Sequence, residues 1–412
     1  MREAQKENLV CSKMGYDISL RWKRNESIKS SHISQPWSIQ SRICSYNSIT
    51  PTTNTSSLID DDDYHGSSRR VGLHAHFKFL RVLNLSLWTR EINVHNIFLE
   101  IVGLVHLRRL TIRCELNIHC LPLFMLRNLQ TLQVFYEYLS CEPLDIWGLS
   151  QLKNITIWDS ITLVPPRLVH HNLESIRSLD YRSCTKELFL RIPNLRTLEV
   201  TTNHEIKFKA PNWFESLVYL YKLEVLMVEA ELGEFSTIYS MGMLSLENFL
   251  PNLKELNLSN TNLKWKDMDV VGKLSKLEDL RLMRYAVKDR KWKPKDGGFR
   301  QLRFLKIYWG PLQYWEATSN HFPVLEKLDL GLIKLKEIPT DFVGKITLKS
   351  IKLYECSKSL ISSAKFIQKK QQEEYGYDTF VDIIRLDFKL PDYYFIFLKF
   401  KSKVISISPI DF

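Results

Sequence analysis

Glycine is scarce, with 14 residues in a chain of 412. A nucleotide-binding sheet rich in glycine turns is disfavoured on that ground, and the G-x-x-x-x-G-K-[ST] loop that cradles phosphates is absent. No apolar run reaches the roughly 18 to 20 residues needed to cross a bilayer. The closest, Tyr393 to Ile410, is broken by Lys399, Lys401 and Lys403. The first residues, Met1 to Asn8, are too polar for a secretion signal. The seven cysteines are odd in number and scattered, with no CxxC pair, which reads as reduced thiols. These absences together predict a cytoplasmic chain with no transmembrane segment.

Catalytic and metal signatures are missing as well. Cys114 to Cys120 with His119, the pair His74 and His76, and the pair His170 and His171 are the metal-like groupings, and none has the paired spacing of a zinc site. No G-x-S-x-G elbow marks a nucleophile. The expectation is a protein that is not an enzyme, holds no cofactor or metal and takes no small-molecule substrate.

What the chain does contain is a periodic pattern of leucine. Hydrophobic residues make up 44% and charged residues 25%, enough for a core and ordinary for a globular protein. The unit apolar-x-x-apolar-x-apolar recurs from Leu80-Leu83-Leu85 to Leu348-Ile351-Leu353, counting a degenerate copy at Leu173-Ile176, to make twelve units. Their starts lie 21 to 30 residues apart, close to the range of leucine-rich repeats. One such hexapeptide arises easily by chance, whereas twelve in succession do not.

Each unit dictates its own geometry. Its last two apolar residues lie two apart, on one side of a short strand, and the residue between them points the other way. A single unit cannot bury that row, but stacked units form a continuous core. The expected fold is α/β: a leucine-rich-repeat solenoid, an irregular horseshoe with a parallel sheet on its concave face and loops and short helices outside. Twelve strands at ~4.8 Å spacing would line an arc of roughly 55 Å, enough to embrace a folded protein.

Function should then sit on the inner face. The residue between the last two apolar positions gives a column that includes Asn84, Thr111, Gln133, Arg281, Lys306, Asp329 and Lys352. The position after each strand gives Arg113, Phe135, Trp158, Tyr308 and Tyr354 among others. Exposed aromatics beside arginine are typical of protein-interface hot spots. Arg113, Phe135, Trp158, Arg281, Lys306, Tyr308, Lys352 and Tyr354 are therefore the candidate protein-binding residues, with Phe135–Trp158 and Arg281–Lys306–Tyr308 as the two best patches. The bland alternative is that the aromatics merely cover strand ends.

The net charge of +11 is spread along the chain without a basic arm, so nucleic acid is not the expected partner. One loop, Arg290-Lys-Trp-Lys-Pro-Lys, does interleave cations with Trp292, a pattern that could grip phosphates and stack bases. A solvated loop is the plainer reading. Residues 1–70 read as an N-terminal cap segment with a flexible Ser/Thr/Asp loop, containing a candidate extra strand near Trp37 to Tyr46. Residues 71–358 are the solenoid. Residues 359–412 read as a capping helix, with Ile361, Ala364, Phe366 and Ile367 buried, followed by a tail.

Several stretches resemble a particular family. Phe79-Leu-Arg-Val-Leu-Asn-Leu, Phe322-Pro-Val-Leu-Glu-Lys-Leu, Leu335-Lys-Glu-Ile-Pro-Thr-Asp and Ser362-Ser-Ala-Lys-Phe-Ile-Gln-Lys-Lys are similar to the C-terminal part of plant intracellular nucleotide-binding leucine-rich-repeat resistance proteins of the coiled-coil, late blight type. The resemblance spans about residues 1 to 385. The family's nucleotide switch has no counterpart here, neither the phosphate loop nor a Met-His-Asp triplet, so nucleotide binding is not carried over. The resemblance implies a recognition or regulatory scaffold of plant defence. Its partner would be a pathogen effector, a host target or the receptor's own NB-ARC and coiled-coil modules. A substrate receptor of a ubiquitin ligase, or a non-functional receptor fragment, are the alternatives; no F-box precedes the repeats in residues 1–70.

Overall fold

The computed structural model describes residues 9–13, 16–23, 38–45, 80–87, 101–114, 122–136, 143–202, 213–230 and 250–385. Sixteen strands form one sheet in chain order. The first two, β1 (Leu9–Lys13) and β2 (Tyr16–Lys23), pair antiparallel, and β2 pairs antiparallel with β3 (Ser38–Ser45). From β3 onward every pairing in this sheet is parallel. The strands are β4 (Val82–Leu87), β5 (Arg109–Cys114), β6 (Thr131–Tyr136), β7 (Asn154–Ile161), β8 (Ser175–Asp180), β9 (Thr197–Thr202), β10 (Val225–Ala230), β11 (Glu255–Ser259) and β12 (Asp279–Met283). They continue through β14 (Phe304–Gly310), β16 (Lys327–Ile333) and β17 (Ser350–Tyr354) to β18 (Phe380–Ile384). A separate two-stranded pairing joins β13 (Lys291–Trp292) to β15 (Tyr314–Trp315) in the outer segments.

The leucine spacing sets the register. Leu83 stands beside Leu110, and the same column runs through Leu132, Ile155, Ile176, Leu198, Leu226, Leu256, Leu280, Leu305 and Leu328 to Ile351. From Leu110 to Ile351 each of these side chains is 0% exposed. Full burial of one such side chain is worth about 1.5–3 kcal/mol, and here each is covered by its neighbours on both sides. These strands thus owe their stability to no single unit; the core exists only between units.

The one degenerate unit has a structural cause. β8 reads Ile176-x-x-Leu179 because an extra residue is accommodated at Ser178, which is buried with a φ of 62°. Register shifts there, so that Leu179 stands beside Val200 and Ile161. The bulge also turns Asp180 inward to 1% exposure, where Arg182 pairs with it at 2.8 Å and Ser160 donates to it at 3.2 Å.

Outer segments return as short helices and 3-10 turns, including α1 (Lys186–Arg191), α2 (Trp213–Ser216) and α3 (Met268–Val271). An asparagine just before the first leucine of several units clips one return to the previous one. Asn128 donates to the Val105 carbonyl at 2.8 Å, Asn172 to Ser150 at 2.9 Å, Asn194 to His171 at 2.7 Å and Asn252 to Tyr221 at 2.7 Å. Helix α4 (Lys358–Tyr375) starts at Ser357, whose hydroxyl accepts from the Leu360 amide, and stops at Gly376 with φ 68°. It buries Leu360, Ile361, Ala364, Ile367 and Gln371. Phe366, expected on that buried side, instead faces solvent at 48% exposure, because at about 3.6 residues per turn it is turned well away from the line of Leu360, Ala364, Ile367 and Gln371. The helix is a long return, since β18 follows it and pairs with β17. The flexible Ser/Thr/Asp loop expected over Ser45 to Arg70, which includes the acidic run Asp60 to Asp63, lies outside the described residues from residue 46 onward, as do His74, His76, His119, Cys120 and the tail after residue 385.

Candidate protein-binding face

The side of the sheet opposite the leucines carries the residues that the repeat pattern singles out. In the middle column Asn257, Arg281, Lys306, Asp329, Lys352 and Asp382 sit on successive strands. In the next column Met283, Tyr308, Gly331 and Tyr354 do the same. The candidates Arg281, Lys306, Tyr308, Lys352 and Tyr354 therefore form one patch across four strands.

Arg281 is held by two carboxylates on its own face. Its Nε donates to Asp279 Oδ1 at 3.0 Å and its Nη2 to Oδ2 at 2.8 Å, while Glu255 lies at 3.6 Å. This two-point grip fixes the guanidinium plane. The ring of Phe304 lies 5.5 Å from it. Lys306, on the adjacent strand, stands beside Asp329 of β16. Its ammonium rests over the Tyr308 ring at 4.6 Å, a cation–π contact. Burial pushes the Lys306 pKa down, and Asp329 pulls it back only in part. Burial likewise pushes the Asp329 carboxyl up, against Lys306, Lys352 and Arg281.

Tyr308 is laid flat by a glycine. A Cβ at Gly331 would come within 2.6 Å of the Tyr308 ring, so the ring occupies the space that a side chain on β16 would fill. It thereby reaches Tyr354 two strands away, with ring centroids 5.7 Å apart. Burial raises the Tyr308 phenol far above its ordinary value, so it remains a neutral donor and acceptor. Lys352, beside Asp329 on β17, is exposed.

The N-terminal patch is less assembled. Arg113 on β5 stands beside Phe135 on β6, and Phe135 is half-buried. Trp158 lies on β7 past the last paired position, Val134 with Ile157, so the register does not bring it beside Phe135. The side chains of Arg113 and Trp158 lie outside the described residues.

The interleaved basic loop is corrected by the structure. Trp292 is 0% exposed and stacked between Trp265, at 4.3 Å, and Trp315, at 5.4 Å. It cannot stack on a base; Lys291 beside it pairs with Glu316 at 2.6 Å. Two features of the face escaped the sequence reading. Arg177 occupies the middle column on β8 beside Thr156, hidden by the degenerate unit. Arg284 reaches back across β11 to Glu229 at 3.1 Å, a contact between residues 55 apart that no local motif announces. Among the described residues no group of three or more His, Cys, Asp or Glu could hold a metal ion, and no helix is long and apolar enough to cross a membrane.

Comparison with known proteins agrees with this architecture. The chain is 31% identical over 333 residues to Late blight resistance protein R1-A of Solanum demissum, covering 76% of this chain and 24% of that protein. It is 31% identical over 316 residues to Putative late blight resistance protein homolog R1B-16 of the same species, covering 73% and 23%. The chain thus spans about a quarter of the length of these relatives. Among solved structures, an internalin from Listeria monocytogenes aligns with a TM-score of 0.39 and 13% identity, covering 76% of this chain and 81% of that one. An LRR protein from Leptospira interrogans aligns with a TM-score of 0.36 and 17% identity, covering 74% and 79%. Residues 68–357 match the family described as Leucine-rich repeat region, and the chain belongs to that family.

Proposed function

We propose that this chain is a protein-recognition scaffold of plant defence, the leucine-rich-repeat part of a disease resistance receptor, working inside the cell by binding and not by catalysis. The observation that carries the reading is the patch across β12 to β17. There, Lys306 and Asp329 stand side by side on neighbouring strands, each partly stripped of water by burial, while Tyr308 and Tyr354 lie alongside. Charged groups held on one face select a partner of complementary charge, and the aromatic pair gives that partner apolar area to cover. The relatives, named as late blight resistance proteins, supply the biological setting. The partner classes are a pathogen effector, a host target or a switch module of the same receptor.

The test is affinity capture from leaf extract with the full chain and with the double variant Arg281→Ala/Lys306→Ala. At least one protein held by the wild type should be lost from the variant, by about tenfold or more in recovered amount. An identical set of captured proteins, in identical amounts, removes this patch from the account.

A further inference from the structure

The rim where the strands end carries a second feature. Residues at the C-terminal ends of the strands turn left-handed in five successive rungs: Asn260 (φ 55°), Arg284 (φ 47°), Trp309 (φ 57°), Leu332 (φ 48°) and Glu355 (φ 48°). This is the repeat's way of leaving the sheet, and alone it says nothing of a ligand. The side chains placed on it do. Tyr285 also turns left-handed (φ 56°), and its amide donates to the Trp309 carbonyl at 2.7 Å. Trp309 and Leu332 lie side by side between two paired positions, Tyr308 with Gly331 and Gly310 with Ile333. Tyr285, Trp309 and Leu332 therefore stand on three consecutive rungs, where the flanking rungs offer Asn260 and Glu355.

Together with Gly310, Pro311 and Lys334 they line an open cleft of about 270 Å³. Tyr285 is 46% exposed, and its ring meets that of Trp309 at 6.5 Å with a 51° tilt. Lys334 is the one charged side chain among the lining residues, and it is exposed. A Cβ built on Gly310 would have nothing within 4 Å, so space is left open at the centre of the lining.

We infer that this cleft binds an extended, proline-containing peptide segment bearing an acidic residue. Three arguments converge. Tryptophan and tyrosine set at an angle form the kind of wall against which proline rings lie, and a polyproline II segment arrives already ordered, with its carbonyls free to accept hydrogen bonds. The spacing fits: two strand steps of ~4.8 Å separate the Tyr285 and Leu332 rungs by ~9.6 Å. One turn of polyproline II advances ~9.3 Å, so residues three apart meet those two rungs with Trp309 between them. The charge fits too, since a lone exposed ammonium at the edge of an otherwise apolar lining is complemented by a carboxylate. This site goes beyond the sheet-face reading and does not rest on it.

The experiment is fluorescence anisotropy of the full chain with a fluorescein-labelled peptide, Asp-Asp-Pro-Pro-Leu-Pro-Pro-Leu-Pro-Pro, beside a version in which serine replaces every proline. The proline peptide should bind saturably, and the serine peptide at least about tenfold more weakly. Gly310→Leu adds a Cβ that meets nothing within 4 Å and carries its branched end into the lining. It should weaken binding by about tenfold while leaving the thermal midpoint in place. Lys334→Glu should move the preference to a peptide that carries Lys-Lys in place of Asp-Asp. The sheet-face variant Arg281→Ala/Lys306→Ala should bind the peptide as the wild type does, which separates the two sites. No saturable binding, equal binding of the serine peptide, or a Gly310→Leu protein that binds unchanged would each overturn the inference.

Discussion

Lys345 is 4% exposed, and its ammonium donates to the Ser319 carbonyl at 2.7 Å and to that of Phe322. It clips one return segment to the one before it, as the asparagines do in other units. Burial pushes its pKa down from 10.5 to about 8, against Asp341. The folded value lies below the unfolded one, so between them the unfolded chain binds more protons and stability rises with pH. The contribution is unfavourable below pH 8 and is relieved as pH climbs towards 10.5. Lys345→Met removes this dependence. Urea unfolding of both proteins at about pH 7 and about pH 10 should show the wild type gaining roughly 1–3 kcal/mol relative to the variant. Parallel pH curves would contradict the assignment. At this scale the sequence is least informative. Nothing around Tyr308 announces that its ring lies over Gly331, because that contact depends on the residue facing it in the next unit. Arg177 is missed for a related reason, since its unit breaks the spacing that points to the column.

At the scale of elements, strands were readable and returns were not. An apolar residue recurring two positions later forces a strand face, whatever its neighbours do. The returns obey no such rule, which is why a tryptophan within a run of lysines reads as a surface residue. Trp292 is instead the middle of a stack, with Phe299 and Phe322 edge-on at 6.0 and 5.6 Å. It joins the β13–β15 pairing to the repeat core. Trp292→Ala should destabilise the chain by about 3–5 kcal/mol, read as a lower urea midpoint. Trp292→Phe should cost much less, since the indole Nε1 is buried without a hydrogen-bond partner and its removal frees the fold of that unmet donor. A loss under about 1 kcal/mol for Trp292→Ala would mean the stack is not structural. Helix α4 shows the same limit in milder form. Its existence is legible from the spacing of Ile361, Ala364 and Ile367, but its caps at Ser357 and Gly376 and its role as a return emerge only from the structure and the pairing of β18.

For the molecule as a whole, the leucine spacing defines a ladder in which each unit is stabilised by its neighbours and none is a domain alone. That is why the fold could be read from counting, while the partner could not: spacing decides which residues face the open side, and says nothing about what fits them. The ladder is also the premise of both proposed binding sites, since each assembles residues from separate units by register. The most demanding step is from β10 to β11, where Met227 is placed beside Asn257 across 30 residues of intervening chain. A Met227→Cys/Asn257→Cys protein, oxidised and mapped by peptide mass spectrometry, tests it directly. Adjacent parallel strands bring the two Cα atoms within disulfide reach, about 4.4–6.8 Å, whereas Met227→Cys/Arg281→Cys places them two steps apart, at ~9.6 Å. The account predicts that the first pair closes and the second stays reduced; closure of the second pair in preference to the first would contradict it.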